Sequence, residues 1–125
     1  MRTSIHLCHE LKAGNADRLD AIVAKSAPFL ALASVSGADE PSAFTPRWGW
    51  DRLIKPLDAG GYDPRPFLRA LARNGFEGPV QLHTYGLKSP VAPDYDRHIE
   101  RSMGRWRELV SGPESPSGSR FEAVR

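Results

Sequence analysis

Apolar and polar positions along the 125-residue chain switch between a period near two and a period near 3.6, and the switches mark its elements. Within Ser4–Cys8, Ile5 and Leu7 alternate with polar neighbours, which reads as a short strand. Ala16, Leu19, Ile22 and Val23 then recur at helical spacing. They predict a helix capped by Asn15 and running to about Lys25, where Pro28 breaks the pattern. Phe29–Val35 (FLALASV) is a continuous apolar run, as expected of a strand buried on both faces of a parallel sheet.

Ser36–Trp50 follows as a long irregular segment with Gly37, Pro41, Pro46 and Gly49. Loops of this length inside a compact domain are often functional. Trp48 and Trp50 at its end either line a pocket or anchor the loop to the core. The block Leu57–Tyr85 (LDAGGYDPRPFLRALARNGFEGPVQLHTY) is the most informative stretch. Asp63 and Pro64 predict a helix start. Phe67, Leu68, Leu71 and Ala72 form its buried face, and Asn74-Gly75 stops it. Pro79–Thr84 is the next strand. Asp94 caps a last predicted helix, along which Tyr95, Ile99, Met103, Trp106 and Val110 form one stripe. The order is β, α, β, loop, α, β, α. Alternation with apolar strands implies a parallel sheet with helices packed on it, and three strands leave two open edges.

Composition adds bounds. An apolar fraction of 40% and a charged fraction of 26% are globular values. The net charge of +2, with scattered arginines, predicts neither nucleic acid nor an anionic membrane as partner. Cys8 is the one cysteine, so no internal disulfide forms and an oxidising compartment is not implied. No apolar run approaches a membrane span, and MRTSIHLC is too short in its apolar part for a signal peptide. A cytoplasmic protein is expected. Residues 111–125 are rich in Pro, Gly and Ser, which predicts a disordered tail.

Polar groups collect at the predicted strand ends, where α/β folds place their sites. His6, Cys8 and His9 offer the ligand types that zinc prefers. A strand puts His6 and Cys8 on one face with His9 past its end, which disfavours chelation by this segment alone. The plain alternative is a packed Cys8 with hydrogen-bonded histidines. Asp39, beside Glu40, follows the second strand and either holds a metal or polar substrate or caps the loop. His83 and Tyr85 close the third strand on one face, and Lys88 follows. Acid–base work, a grip on a hydroxylated ligand, or plain packing all fit them. Walker, GxGxxG, GxSxG and CxxC patterns are absent from the sequence.

Four blocks together carry a resemblance: SIHLCHELKAGN, FLALASVSGAD, WDRLIKPLDAGGYDPRPFLRALARNGFEGPVQLHTYG and RHIERSMGRWREL. Spanning about residues 4–110, they resemble the C-terminal half of a xylose-isomerase-like TIM barrel, in the sugar phosphate isomerase/epimerase group related to endonuclease IV. The third block is the most specific. The resemblance implies an α/β fold: a partial (half) TIM barrel over residues 1–110, with parallel strands and outer helices. It implies a divalent metal (Mn, Zn or Mg), proton transfer beside a sugar carbonyl, and a small-molecule carbohydrate as partner. The family's Asp-x-x-His motif falls on His6-Leu7-Cys8-His9, keeping His9 and placing His6 at the Asp. The next metal-site His falls within Ser34–Ser36, which has no ligand. The final-strand Glu falls on His83. His9 and His83 are thus the expected catalytic and metal residues, and Asp39, Tyr85 and Lys88 the expected substrate contacts. A full barrel needs about 250 residues. The expected function is therefore an incomplete isomerase/epimerase-like domain with a degenerate metal site, completed by a second copy or by a missing N-terminal half. A non-catalytic carbohydrate-binding or assembly module, or an inactive fragment, is the alternative.

Overall fold

The computed structural model describes residues 2–84 and 92–111, with backbone alone for residues 92–94. Its elements are β1 (Thr3–His6), α1 (Leu7–Lys12), α2 (Leu19–Ser26), β2 (Leu30–Val35), α3 (Arg65–Arg73), β3 (Val80–Leu82) and α4 (Ala92–Ser111). The three strands are parallel and lie in the order β1-β2-β3. The fold is thus mixed α/β with a parallel sheet, as the alternation predicts. Tyr85, Lys88 and residues 112–125 of the expected tail lie outside the described residues, and Ser111 is the last residue of α4.

Register divides the sheet into two unlike faces. Ile5 pairs with Ala33 and Ala33 with Val80; His6 pairs with Ser34 and Ser34 with Gln81. Because side chains alternate, Ile5, Ala33, Val35, Val80 and Leu82 share one face. All five belong to the apolar core or pack against it, together with Leu19 and Val23 of α2 and Phe67, Leu68 and Leu71 of α3. The other face carries Ser4, His6, Leu32, Ser34 and Gln81. The His83 N–H donates to the Val35 carbonyl at 2.8 Å, so the ladder extends one residue past β3 and adds His83 to that polar face. Ser4 and Gln81 are exposed and Leu32 is half-buried. Burial of the FLALASV run on both faces, as expected from its composition, therefore holds only for Ala33–Val35.

Local chemistry accounts for the helix ends. Asp63 Oδ1 accepts the Arg65 N–H at 3.0 Å, as predicted for the start of α3. At its end Gly75 takes φ 78°, the Phe76 N–H reaches the Leu71 carbonyl at 3.0 Å, and the Gly75 N–H reaches Ala72 at 3.1 Å. These two bonds satisfy carbonyls that the helix leaves free. Two expectations are corrected. The first strand stops at His6, and Leu7 already belongs to α1. A helical turn buries Leu7, Cys8 and Leu11 together, which strand alternation does not allow. Asn15 does not cap a helix: its amide donates to Glu10 Oε1 at 2.9 Å and its carbonyl accepts from Arg18. The Ala16–Arg18 segment is a 3-10 turn, and α2 begins only at Leu19.

The long loop is tied down along its length. Gly37 and Lys55 exchange both backbone bonds, at 3.0 and 2.9 Å. The buried Ser36 hydroxyl donates to the Leu53 carbonyl at 3.0 Å. Gly60 has φ 83°, and a Cβ there would lie 2.1 Å from the Ala38 carbonyl oxygen. Gly60 thus serves close backbone approach to this loop. Helix α4 docks beside it: Ser102 Oγ accepts the Leu57 N–H at 2.9 Å, Arg101 pairs with Asp58 at 2.9 Å, and Leu109 and Val110 are buried. Of the predicted α4 stripe, Trp106 and Val110 pack on the core, whereas Tyr95, Ile99 and Met103 are half-buried. Among the described residues no helix is long and apolar enough to cross a membrane.

Truncating the fully buried Phe67 to Ala is expected to cost about 3–5 kcal/mol, read as a lower urea midpoint at unchanged slope. Gly60→Ala is expected to lose at least ~1–3 kcal/mol through backbone strain, with the clash against Ala38 added. An unaltered midpoint for either variant contradicts the packing described.

Candidate functional site

The C-terminal ends of β1 and β3 bring three imidazoles together. Ring centroids of His6 and His9 lie 5.2 Å apart, those of His6 and His83 5.6 Å, and those of His9 and His83 6.2 Å. His6 and His83 stand on the polar sheet face. His9 comes from the first turn of α1, which folds back over the strand end because Leu7, Cys8 and Leu11 seek the core.

His6 is fixed at both ring nitrogens. Nδ1 shares a 2.6 Å hydrogen bond with Ser34 Oγ, and Nε2 shares a 3.1 Å bond with Ser4 Oγ. A neutral imidazole donates through one nitrogen and accepts through the other, so His6 has no lone pair left for a ligand. Its role here is to hold position. His83 differs: its Nδ1 is buried and finds no hydrogen-bond partner among the described residues. Buried polar atoms are almost always satisfied, and an orphan calls for an explanation such as an ion.

Cys8 Sγ lies in the same place. One ligand atom each from Cys8, His9 and His83 fall within 4.8 Å of one another, and no other group of three such donors occurs among the described residues. Cys8 is 1% exposed, so the expected alternative of a packed cysteine is also true; packing and proximity coincide. Burial pushes its thiol up to about 11. Burial likewise lowers His83, assisted by repulsion from His6 and His9, and lowers His6, assisted by His9. Both shifts favour the neutral imidazole at His6 and His83, the form that binds metal or accepts a proton.

Aromatic rings border the cluster. Trp50, 37% exposed, lies with its ring centroid 5.2 Å from His9, and Lys12 Nζ stands 5.3 Å from the Trp50 centroid. Lys12 also donates to the Pro46 and Trp48 carbonyls at 3.2 and 2.5 Å, which joins α1 to the loop. Trp48 instead packs on the core, with the Arg52 guanidinium 3.8 Å from its ring centroid. Of the two tryptophans, Trp48 is the anchor and Trp50 the neighbour of the site.

Asp39 does not join the histidines. Its carboxylate pairs with Arg52 at 2.8 Å and Lys55 at 3.4 Å, and the Arg52 hydrogen bond is the main reason its pKa is lowered. The expected substrate contact is thus a brace across the loop. A separate cleft of about 500 Å³, lined by residues including Leu11, Asp17, Glu40 and Tyr62, contains none of the three histidines. There the Tyr62 phenol is pushed up to about 12, mainly by burial, with further repulsion from Asp63, Glu40 and Asp17. Sequence reasoning paired His9 with His83, weighed Cys8 as a donor beside His6 and His9 but not with His83, left Trp50 open between pocket and anchor, and gave Ser34 no role. The signal for Cys8 was present in its place beside His9. The contacts of Trp50 and Ser34 are set across more than 25 residues and leave no local mark.

A residual carboxylate metal site does not fit these residues, because no Asp or Glu among them belongs to the donor group. A sulfur and nitrogen site does fit: the donors are those zinc-type ions prefer, and one of their three residues, His83, carries the orphan Nδ1.

Stability should follow the two half-buried imidazoles, His6 and His83. Their folded pKa values lie below the ordinary histidine value of 6.5, so the unfolded chain binds protons first as pH falls. Stability is full above about pH 6.5 and is lost progressively below it. The melting temperature is expected to fall between about pH 7 and pH 5, with a shallower fall in His83→Gln. Equal slopes in the two proteins rule out this origin. No family model, curated protein or solved structure matches the chain.

Proposed function

We propose that the chain is an isomerase/epimerase-like α/β domain acting on a small carbohydrate-class ligand at its polar strand ends. The observation that carries this reading is the convergence of His6, His9 and His83 at the C-terminal ends of parallel strands. Moving a proton between carbons beside a carbonyl needs a base near neutrality, and the His83 imidazole, held neutral by burial, meets that need. His83 and His9 are the proton-handling pair, and His6, clamped by Ser34 and Ser4, keeps the geometry. A divalent ion bound there would polarise the substrate's carbonyl oxygen.

In this reading the sheet is part of a TIM-type barrel and its polar face is the barrel's inner face. The helices α2 and α3 on the apolar face support that orientation. The remainder of the barrel comes from a second copy or another polypeptide half meeting the outer edges of β1 and β3, which pair with no described strand. A cytoplasmic setting suits the free Cys8 thiol.

A second reading, a non-catalytic carbohydrate-binding module, is favoured by the part-exposed Trp50 ring beside His9, a surface on which the apolar face of a sugar can stack.

The deciding measurement is deuterium incorporation into pentoses, hexoses and their phosphates in heavy water, with sugar-induced NMR shifts recorded in parallel. Exchange at the carbon beside the carbonyl is expected, slowed ~10²–10⁴-fold by His83→Gln. Shifts at the histidines and Trp50 without exchange select the binding module. No shift and no exchange with any of these sugars sinks both readings.

A further inference from the structure

We propose that Cys8, His9 and His83 together form a thiolate–imidazole site that takes zinc-type ions in preference to magnesium or manganese. The inference deepens the proposed function at the same location and rests on that reading only for the shared His9 and His83. It brings in Cys8, to which the resemblance gives no role, and it changes the class of ion.

Three observations carry it. The first is distance: the three ligand atoms lie within 4.8 Å of one another. Tetrahedral zinc with bonds of about 2.0–2.3 Å sets neighbouring ligands ~3.5 Å apart. Closing the difference takes about an ångström, and the exposed His9, bordered by Trp50, is the ligand placed to make it by a small rotation of its imidazole. The second is the orphan His83 Nδ1, which a metal bond would satisfy. The third is that no carboxylate among the described residues belongs to the donor group. Asp39 is occupied by Arg52 and Lys55, and Glu10 Oε1 accepts from the Asn15 amide. Magnesium and manganese prefer carboxylate, carbonyl and water oxygens, whereas sulfur and imidazole suit zinc and cobalt.

Binding breaks the Cys8 S–H bond heterolytically. The sulfur keeps the electron pair and bonds the ion, the proton passes to solvent, and nothing is oxidised or reduced. His6 stays outside the coordination sphere, since Ser34 and Ser4 hold its nitrogens. Three protein ligands leave a fourth position, and with His9 and His83 engaged as ligands a water held there, its pKa lowered by the ion, would take the proton-handling role that these imidazoles have without metal.

The test is titration of the purified, reduced chain with cobalt(II), followed by absorbance. A near-ultraviolet sulfur-to-cobalt charge-transfer band and intense visible bands of four-coordination are expected. Zinc should abolish both, and excess magnesium or manganese should not. Cys8→Ser should lose the charge-transfer band. His9→Ala, at an exposed position, should keep the band and weaken cobalt binding more than about tenfold, since even groups that only orient ligands are worth ~10–100-fold. If Cys8→Ser fails to fold by circular dichroism, the wild-type band and His9→Ala decide. Cobalt binding without the band, an undiminished band in folded Cys8→Ser, no cobalt binding, or displacement by magnesium overturns the proposal. A sugar titration of the zinc-loaded chain separates the two readings. Metal binding without sugar binding overturns the carbohydrate function alone, and sugar binding without the charge-transfer band overturns the metal site alone.

Discussion

Register across β1, β2 and β3 is the constraint on which the rest depends. Setting Ile5 beside Ala33 and Val80 gathers one apolar face under α2 and α3. The same register sets His6 beside Ser34 and brings His83 up on the polar side. Because side chains alternate along a strand, core and site are two consequences of one alignment. A slip of one residue would turn His6 and His83 into the core and Ile5 and Val80 out of it, at a cost no polar contact could offset.

The long loop works with that alignment. Its backbone exchange between Gly37 and Lys55, the buried Ser36 bond and the Asp39 pairs hold Trp50 close to His9. An exposed ion pair contributes little by itself, at most ~1 kcal/mol. The loop's order therefore comes mainly from buried Leu53, Ile54 and Thr45 and from backbone bonds, with Asp39 selecting one arrangement among the few that these permit. This is why a carboxylate at a strand end, so often a ligand, is here a brace.

Elements whose cause is local were legible. Asp63 before Pro64 and Gly75 after Asn74 bound α3 because cap and stop are made within a few residues. Misplaced elements have a tertiary cause. Asn15 has the right side chain for a cap, but Glu10 and Arg18 claim it first. Leu7 alternates like a strand residue, but burying it together with Cys8 favours a helical turn. That turn matters for chemistry: it carries Cys8 and His9 toward His83, where a longer strand would have kept them apart.

By itself the sequence determined the α/β class, the parallel sheet, the extent of α3 and the strand ends as the place of the polar groups. Each of these follows from periodicity and local backbone preference, which act over a few residues. Only the tertiary structure decided that Cys8 joins His9 and His83, that Asp39 is neutralised by Arg52 and Lys55, and that Trp50 rather than Trp48 borders the cluster. The physical reason is the same in each case. Which donor meets which acceptor across tens of residues is settled by burial of the apolar face, and polar side chains take the partners that this packing leaves within reach.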